Sequence, residues 1–158
     1  MEVGVPPSGG LGYHPFTTIV NNISYKKNAD IDLDAVIQLY RDSTLGERRP
    51  VDRRDLMEGM MMNADLIITA WDGERLVGIA RTLTDFVYAA YLADLAVHVD
   101  HQAKGIGTEL IEQTRKTLEP TCFLTLLSAP KANGFYPKIG FEPHPRAWVR
   151  KAIDDPLP

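Results

Sequence analysis

Gln102-Ala103-Lys104-Gly105-Ile106-Gly107 joins a stretch that alternates like a strand to one with apolar residues at helical spacing. Upstream, Leu92 to Val99 alternates small or apolar residues with polar ones. Downstream, Leu110, Ile111, Thr114 and Leu118 share a helical face, with Glu109 and Glu112 early and Arg115 and Lys116 late. That charge order suits a helix dipole. Two glycines at such a junction let main-chain N–H groups converge without interference from a Cβ. The unpaired donors of the first helical turn then face an anion, and a diphosphate fits such a corner. Lys104 adds a cation nearby. Two other phosphate loops are excluded by spacing. A Walker loop needs Gly-Lys-Ser/Thr where Gly107-Thr108-Glu109 stands, and a dinucleotide fingerprint wants a third glycine where Leu110 stands.

A second segment lies downstream: Ala132-Asn133-Gly134-Phe135-Tyr136-Pro137-Lys138-Ile139-Gly140-Phe141-Glu142. The first segment resembles the Gln/Arg-x-x-Gly-x-Gly pyrophosphate loop of the GNAT N-acetyltransferase superfamily. The second is similar to that family's Ala-x-x-Phe-Tyr-x-x-x-Gly-Phe segment, in the family's order and at its distance. The resemblance extends more loosely from about Ile23 to Lys151. It implies a mixed α/β (α+β) fold: a mostly antiparallel central sheet, splayed where the cofactor enters and flanked by helices.

The resemblance also implies an acetyl-CoA cosubstrate and assigns residues to it. The diphosphate would lie on main-chain N–H groups of Lys104, Gly105, Ile106, Gly107 and Thr108, with Gln102 opening the motif. The pantetheine arm would pair with the backbone of Leu95, Ala96 and Val97 as an added strand does. Many relatives carry an asparagine three residues before the alanine, where Ala129 stands here. Asn133 either substitutes for it or caps a short helix. Tyr136 would donate to the departing thiolate; a phenol with a reference pKa of about 10 stays protonated at neutral pH. Otherwise Tyr136 is a core aromatic with its hydroxyl tied to backbone.

In this scheme the nucleophile belongs to the acceptor, a primary amine of a small molecule or peptide, which attacks the thioester directly in a ternary complex. An alkylamine with a reference pKa of about 10.4 needs about 4.6 kcal/mol to expose its lone pair at pH 7. Asp94, directly or through water, is the candidate proton acceptor, with His98 a weaker one. On strict alternation Asp94 shares a face with Leu92, Ala96 and His98. A carboxylate bonded to a neighbouring loop is the competing account. No metal is needed, and His98-Val-Asp-His101 has no third ligand spaced to join it. A module that binds acyl-CoA without turnover is the alternative to an enzyme.

At 158 residues and 17.6 kDa the chain suits one domain with a sizeable core. A net charge of −4 supplies no basic footprint, which argues against nucleic acid. The single cysteine, Cys122, sits in an apolar run and reads as a buried small hydrophobe, so a reducing, cytoplasmic setting is expected. No apolar run spans a bilayer, and the Gly- and Pro-rich start lacks the blocks of a secretory signal. The expected organisation is a flexible tail over 1–18, one domain over 19–153 and a short tail over 154–158. A homodimer is compatible with it.

The elements that must position these residues follow from periodicity. Thr18 to Tyr25 reads as a first strand. Leu33, Val36, Ile37 and Tyr40 form one helix face, with Asp30 or Asp32 capping its start and Gly46 ending it. A loop over Glu47–Pro50 leads to a helix from Asp52 to about Met62. Strands follow at Leu66–Trp71 and Leu76–Thr84, joined at Asp72-Gly73. After the central strand and its helix (Thr108–Leu118) come a strand at Cys122–Leu127, a short helix over 131–138 and a last strand holding Trp148 and Val149. The acceptor is expected near the first two helices, their loop and Thr84–Tyr91. Met57, Met60 and Met61 could form an apolar wall or core; Tyr88, Tyr91, Glu47 and Glu58 could touch the acceptor.

Overall fold

Asn21 and Asn22 both take left-handed backbone, at φ 50° and 67°. Asparagine tolerates that region, and two such residues make the tight turn whose twist suits a hairpin. The expected first strand is therefore two strands: β1 (Thr17–Val20) turns into β2 (Ile23–Lys27). The computed structural model describes residues 17–150 and Ala152. Most of the proposed N-terminal tail and all of the C-terminal one lie outside the described residues.

β3 (Leu66–Asp72), β4 (Arg75–Thr84), β5 (Ala89–Val97) and β6 (Phe123–Leu126) complete a six-stranded sheet in the order 1-2-3-4-5-6. Every neighbouring pair is antiparallel except β5–β6, which run parallel because helix α3 (Ile106–Thr117) crosses between them. α1 (Leu33–Asp42) and α2 (Arg54–Met62) precede β3. Asp32 caps α1, its carboxylate accepting from the N–H groups of Asp34 and Ala35.

The sheet is covered on both faces. On one, Leu110 and Ile111 of α3 pack on Tyr25, Ile68, Val77 and Leu92. On the other, Val36, Ile37 and Tyr40 of α1 and Met57 of α2 pack on Ile79 and Ala96. β4 is buried over Leu76–Thr82 accordingly. At Gly78 a Cβ would come within 3.0 Å of Leu110 Cδ1 and 3.2 Å of Ile106 Cγ2, so this glycine lets α3 lie close on the sheet. Among the described residues no helix is long and apolar enough to cross a membrane.

Two irregularities in β5 shape the site. First, β6 pairs only with Ala89 to Leu92, so β5 continues to Val97 with that edge uncovered. Second, Arg81 pairs with Asp94 while Thr82 pairs with Leu92, leaving Ala93 as an extra residue in a β-bulge. The bulge breaks the alternation expected along this strand. Leu92 joins the core under α3, whereas Ala96 joins the core under α1 and Asp94 bonds to Tyr40 of α1.

Other expectations are corrected. α1 ends at Ser43, and Thr44 rather than Gly46 takes the left-handed conformation, at φ 69°. Leu45–Arg48 is a 3-10 turn, not an open loop. The short helix over 131–138 is two 3-10 turns, Pro130–Ala132 and Tyr136–Ile139, with Pro130 first in one and Pro137 second in the other, positions where a proline's missing N–H costs no helical bond. Trp148 and Val149 lie in no strand and are exposed. Cys122 is only half-buried.

Candidate functional site

Where β5 and β6 part, a cavity of about 590 Å3 runs from the start of α3 to the turn after α1. The start of α3 is its first wall. Gly105 is the N-cap, at φ 81°, and has no side chain to cap the helix. The first helical hydrogen bond runs from Glu109 N to Gly105 O at 3.0 Å. The N–H groups of Gly105, Ile106, Gly107 and Thr108 therefore lack helical partners, and all four residues line the cavity. The two glycines serve different needs. Gly105 supplies a positive φ, while a Cβ on Gly107 would meet Phe135, Val97 and Leu95 at only 3.7–4.0 Å. The protein itself has room there.

Lys104 and Gln102 turn to the main chain. Lys104 Nζ donates to Asp100 O at 2.9 Å, and Lys104 does not line the cavity. Gln102 lines it, and its amide donates to Val97 O at 3.0 Å. That bond occupies a carbonyl at the end of the strand edge that β6 leaves uncovered. Leu95 and Val97 line the cavity; Ala96, 3% exposed, belongs to the core under α1.

Tyr136 lines the same cavity, with its ring edge-on to Phe135 at 5.2 Å and Phe141 at 5.6 Å. Burial pushes its phenol above the ordinary value, and the positive charge of Arg48 pulls the other way. The hydroxyl thus stays protonated well past neutrality. Asn133 stays off the cavity wall: its Oδ1 accepts from Ser128 Oγ at 2.5 Å, while Ala129 and Ala132 line the cavity.

Asp94 is placed differently from expectation. It is 1% exposed and is not part of the cavity wall. Its Oδ2 accepts from Tyr40 Oη at 2.8 Å and Arg81 Nε at 2.5 Å, and its Oδ1 from Arg49 Nε at 2.5 Å. Both oxygens are engaged by fixed cations, so taking a further proton would leave two guanidiniums short of their counter-charge. Burial, followed by the adjacent Asp94 charge, holds the Tyr40 phenol well above its ordinary range. Arg49 spends its other donors on Arg48 O and Ala93 O, both at 2.7 Å, and so ties the turn after α1 to the bulge. His98 is buried against Arg75 and Asp42, away from the cavity.

Of the elements expected near an acceptor, the loop between the first two helices reaches the cavity, whereas no residue of α2 or of Thr84–Tyr91 lines it. Ser43, Thr44, Leu45, Arg48 and Arg49 line it. Met57 is wholly buried core, Glu47 and Glu58 are exposed and off the wall, and Tyr88 leans edge-on to Phe123 outside. Sequence reasoning missed Arg48, Arg49 and His101. Only the run Arg48-Arg49-Pro50 marked the first two, and nothing in its spacing separates them from solvated charges. A second cleft of about 370 Å3, between α3 and β2–β3, holds none of the expected site residues.

Comparison with known proteins agrees with this geometry. An acetyltransferase (GNAT) domain model matches residues 40–154. The chain is 30% identical over 127 residues to an uncharacterized N-acetyltransferase ycf52 of Gracilaria tenuistipitata var. liui, covering 78% of this chain and 69% of that one. A GNAT family acetyltransferase of Streptococcus pneumoniae superposes with a TM-score of 0.66 at 25% identity, over 82% of this chain and 99% of that one. PaiA N-acetyltransferase of Thermoplasma acidophilum, solved in complex with coenzyme A, superposes with a TM-score of 0.60 at 19% identity, over 76% and 89%.

Proposed function

The chain belongs to the GNAT acetyltransferase family, acetyl-CoA-dependent N-acetyltransferases, and we propose that it moves acetyl from acetyl-CoA to a primary amine within a ternary complex. One observation carries the reading: the uncapped start of α3 and the Tyr136 phenol open onto one cavity beside an uncovered strand edge.

In this reading the diphosphate takes the N–H groups of Gly105, Ile106, Gly107 and Thr108, an anion at the positive end of α3. The pantetheine arm lies along β5 at Leu95 to Val97, contributing the strand that β6 does not. The thioester then comes to rest near Tyr136. The amine attacks the acetyl carbonyl carbon, the C–S bond breaks, and sulfur leaves as a thiolate that takes the Tyr136 proton or hydrogen bond. Holding amine and thioester together supplies much of the rate, because alignment replaces a bimolecular encounter.

The amine proton is the open step. Asp94, bonded to two arginines and off the cavity wall, is a poor sink. The amine therefore enters neutral or loses its first proton to water, at a cost of about 4.6 kcal/mol at pH 7 for an alkylamine that falls as pH rises. The cationic cavity wall lowers it further by disfavouring an ammonium. The second proton, shed as the attacking nitrogen becomes an amide, passes through water and replaces the one Tyr136 gives to sulfur.

Isothermal titration with acetyl-CoA tests the cofactor half, and absence of binding at millimolar concentration rejects it. The enclosed Asp94 is what favours a second reading, a module that binds acyl-CoA without turnover. Thiol release over a panel of amines separates the two, since such a module yields only background hydrolysis.

A further inference from the structure

Resting on that acetyltransferase reading, we propose that Arg48 selects acceptors bearing a carboxylate beside the reacting amine. The chain carries 17 basic and 21 acidic residues, yet among the described residues no aspartate or glutamate lines the cavity. Among the described residues its basic lining side chains are Arg48, Arg49, His101 and Lys131. Three of them have other occupations. Arg49 donates to Asp94, Arg48 O and Ala93 O. His101 Nε2 sits 3.0 Å from Asp72 Oδ2, and Lys131 is exposed to water.

Arg48 is the exception. It is half-buried, and among the described residues its guanidinium has neither a carboxylate within ion-pair distance nor a hydrogen bond. It lines the same cavity as Tyr136, near enough for its charge to act on that phenol. Ser43, Thr44 and Leu45 share that wall, whereas the diphosphate corner has main-chain donors of its own. A guanidinium partly removed from water and left without an anion is costly unless a ligand brings one. Its planar fork of N–H groups matches a carboxylate in two parallel hydrogen bonds. A plain alkylammonium would instead meet like charge with no acid on the wall to offset it. A carboxylated amine neutralises Arg48 and is held with its nitrogen beside the thioester.

Thiol release from acetyl-CoA, measured with matched amine pairs, tests this. We expect alanine and phenylalanine to exceed alaninamide and phenylalaninamide in kcat/KM by roughly 30-fold when each is taken per neutral amine, the worth of hydrogen bonds to a charged group. Arg48→Ala should erase the preference while acetyl-CoA affinity by titration stays within about twofold, and Arg48→Lys should keep part of it. In the wild type, 3-phenylpropionate, a carboxylate without an amine, should inhibit competitively against the amine and not against acetyl-CoA; this arm needs no variant to fold.

The proposal is overturned if acid and amide are used equally per neutral amine, or if Arg48→Ala slows both alike, since that would put Arg48 on the thiolate. Turnover of O-phosphoethanolamine but of no carboxylated amine overturns it too. So does a wild type that binds acetyl-CoA and turns over none of these amines. Failure of the wild type to bind acetyl-CoA is a different result and removes the acetyltransferase reading itself.

Discussion

The two ends of the cavity are built by opposite means. At the α3 end the cavity is walled by residues whose main-chain N–H donors are set by six consecutive residues, Gln102 to Gly107, and the turn that follows. At the α1 end the cavity-facing groups are side chains, Arg48 at the end of a 3-10 turn and Arg49 just after it, and Arg49 is fixed by a network behind the wall that draws Asp94 from β5 and Arg81 from β4. A local main-chain device is cheap to encode and tolerates change around it. An ion network assembled from distant segments fails as a unit when one charge is removed. A similar contrast holds between two helices: α1 carries its own anion in Asp32, while α3 starts at a glycine with no side-chain cap.

The largest effect is expected at the assembled end. Asp94→Asn would strand Arg49 and Arg81, whose side chains are 23% and 9% exposed, and should cost about 3–5 kcal/mol in urea denaturation. A loss below about 1 kcal/mol would mean the network is no unit, and the contrast would dissolve. Next comes Tyr136→Phe. Turnover should fall about 100-fold, or about 2.7 kcal/mol, with acetyl-CoA affinity within about twofold by titration. Unchanged turnover would remove the phenol from the leaving group.

The main-chain end should respond more mildly. Gly105→Ala forces a Cβ at φ 81°, a strain of about 1–2 kcal/mol read as weaker acetyl-CoA binding, because loop and helix can relax when no ligand is held.

Proton accounting gives a further test. If no carboxylate serves as base, log kcat/KM should rise about one unit per pH unit, worth about 1.4 kcal/mol each, up to the acceptor's own pKa. The sign follows from the amine, since its neutral fraction grows as pH rises. Tyr136, held above its ordinary pKa, stays protonated over that range and so adds no descending limb below it. A plateau setting in between pH 5 and 7 would restore an enzyme base. The smallest effect belongs to Asp32→Ala. It should cost about 1 kcal/mol of stability and leave acetyl-CoA affinity unchanged, since that cap faces its own helix.

Motifs local in the chain were legible in advance. The strand–turn–helix around Gly105, the aromatic pair Phe135-Tyr136, the Asp32 cap and most element boundaries follow from spacing within a dozen residues. Failures came where position depends on a remote partner. Asp94 was expected to share the face of Leu92, and a bulge at Ala93 separated them. Thr18 to Tyr25 looked continuous until Asn21 and Asn22 folded it back.

The sequence by itself determined a corner of backbone donors, because glycine torsions and the first turn of a helix are properties of adjacent residues. Only the tertiary structure decided which charges face the cavity. Arg48 and Arg49 are alike in type and adjacent in the chain, yet one is bound to a buried carboxylate 45 residues away and the other is left unpaired among the described residues. Charge pairing acts through space across a low-dielectric interior, and one-dimensional spacing does not encode those distances.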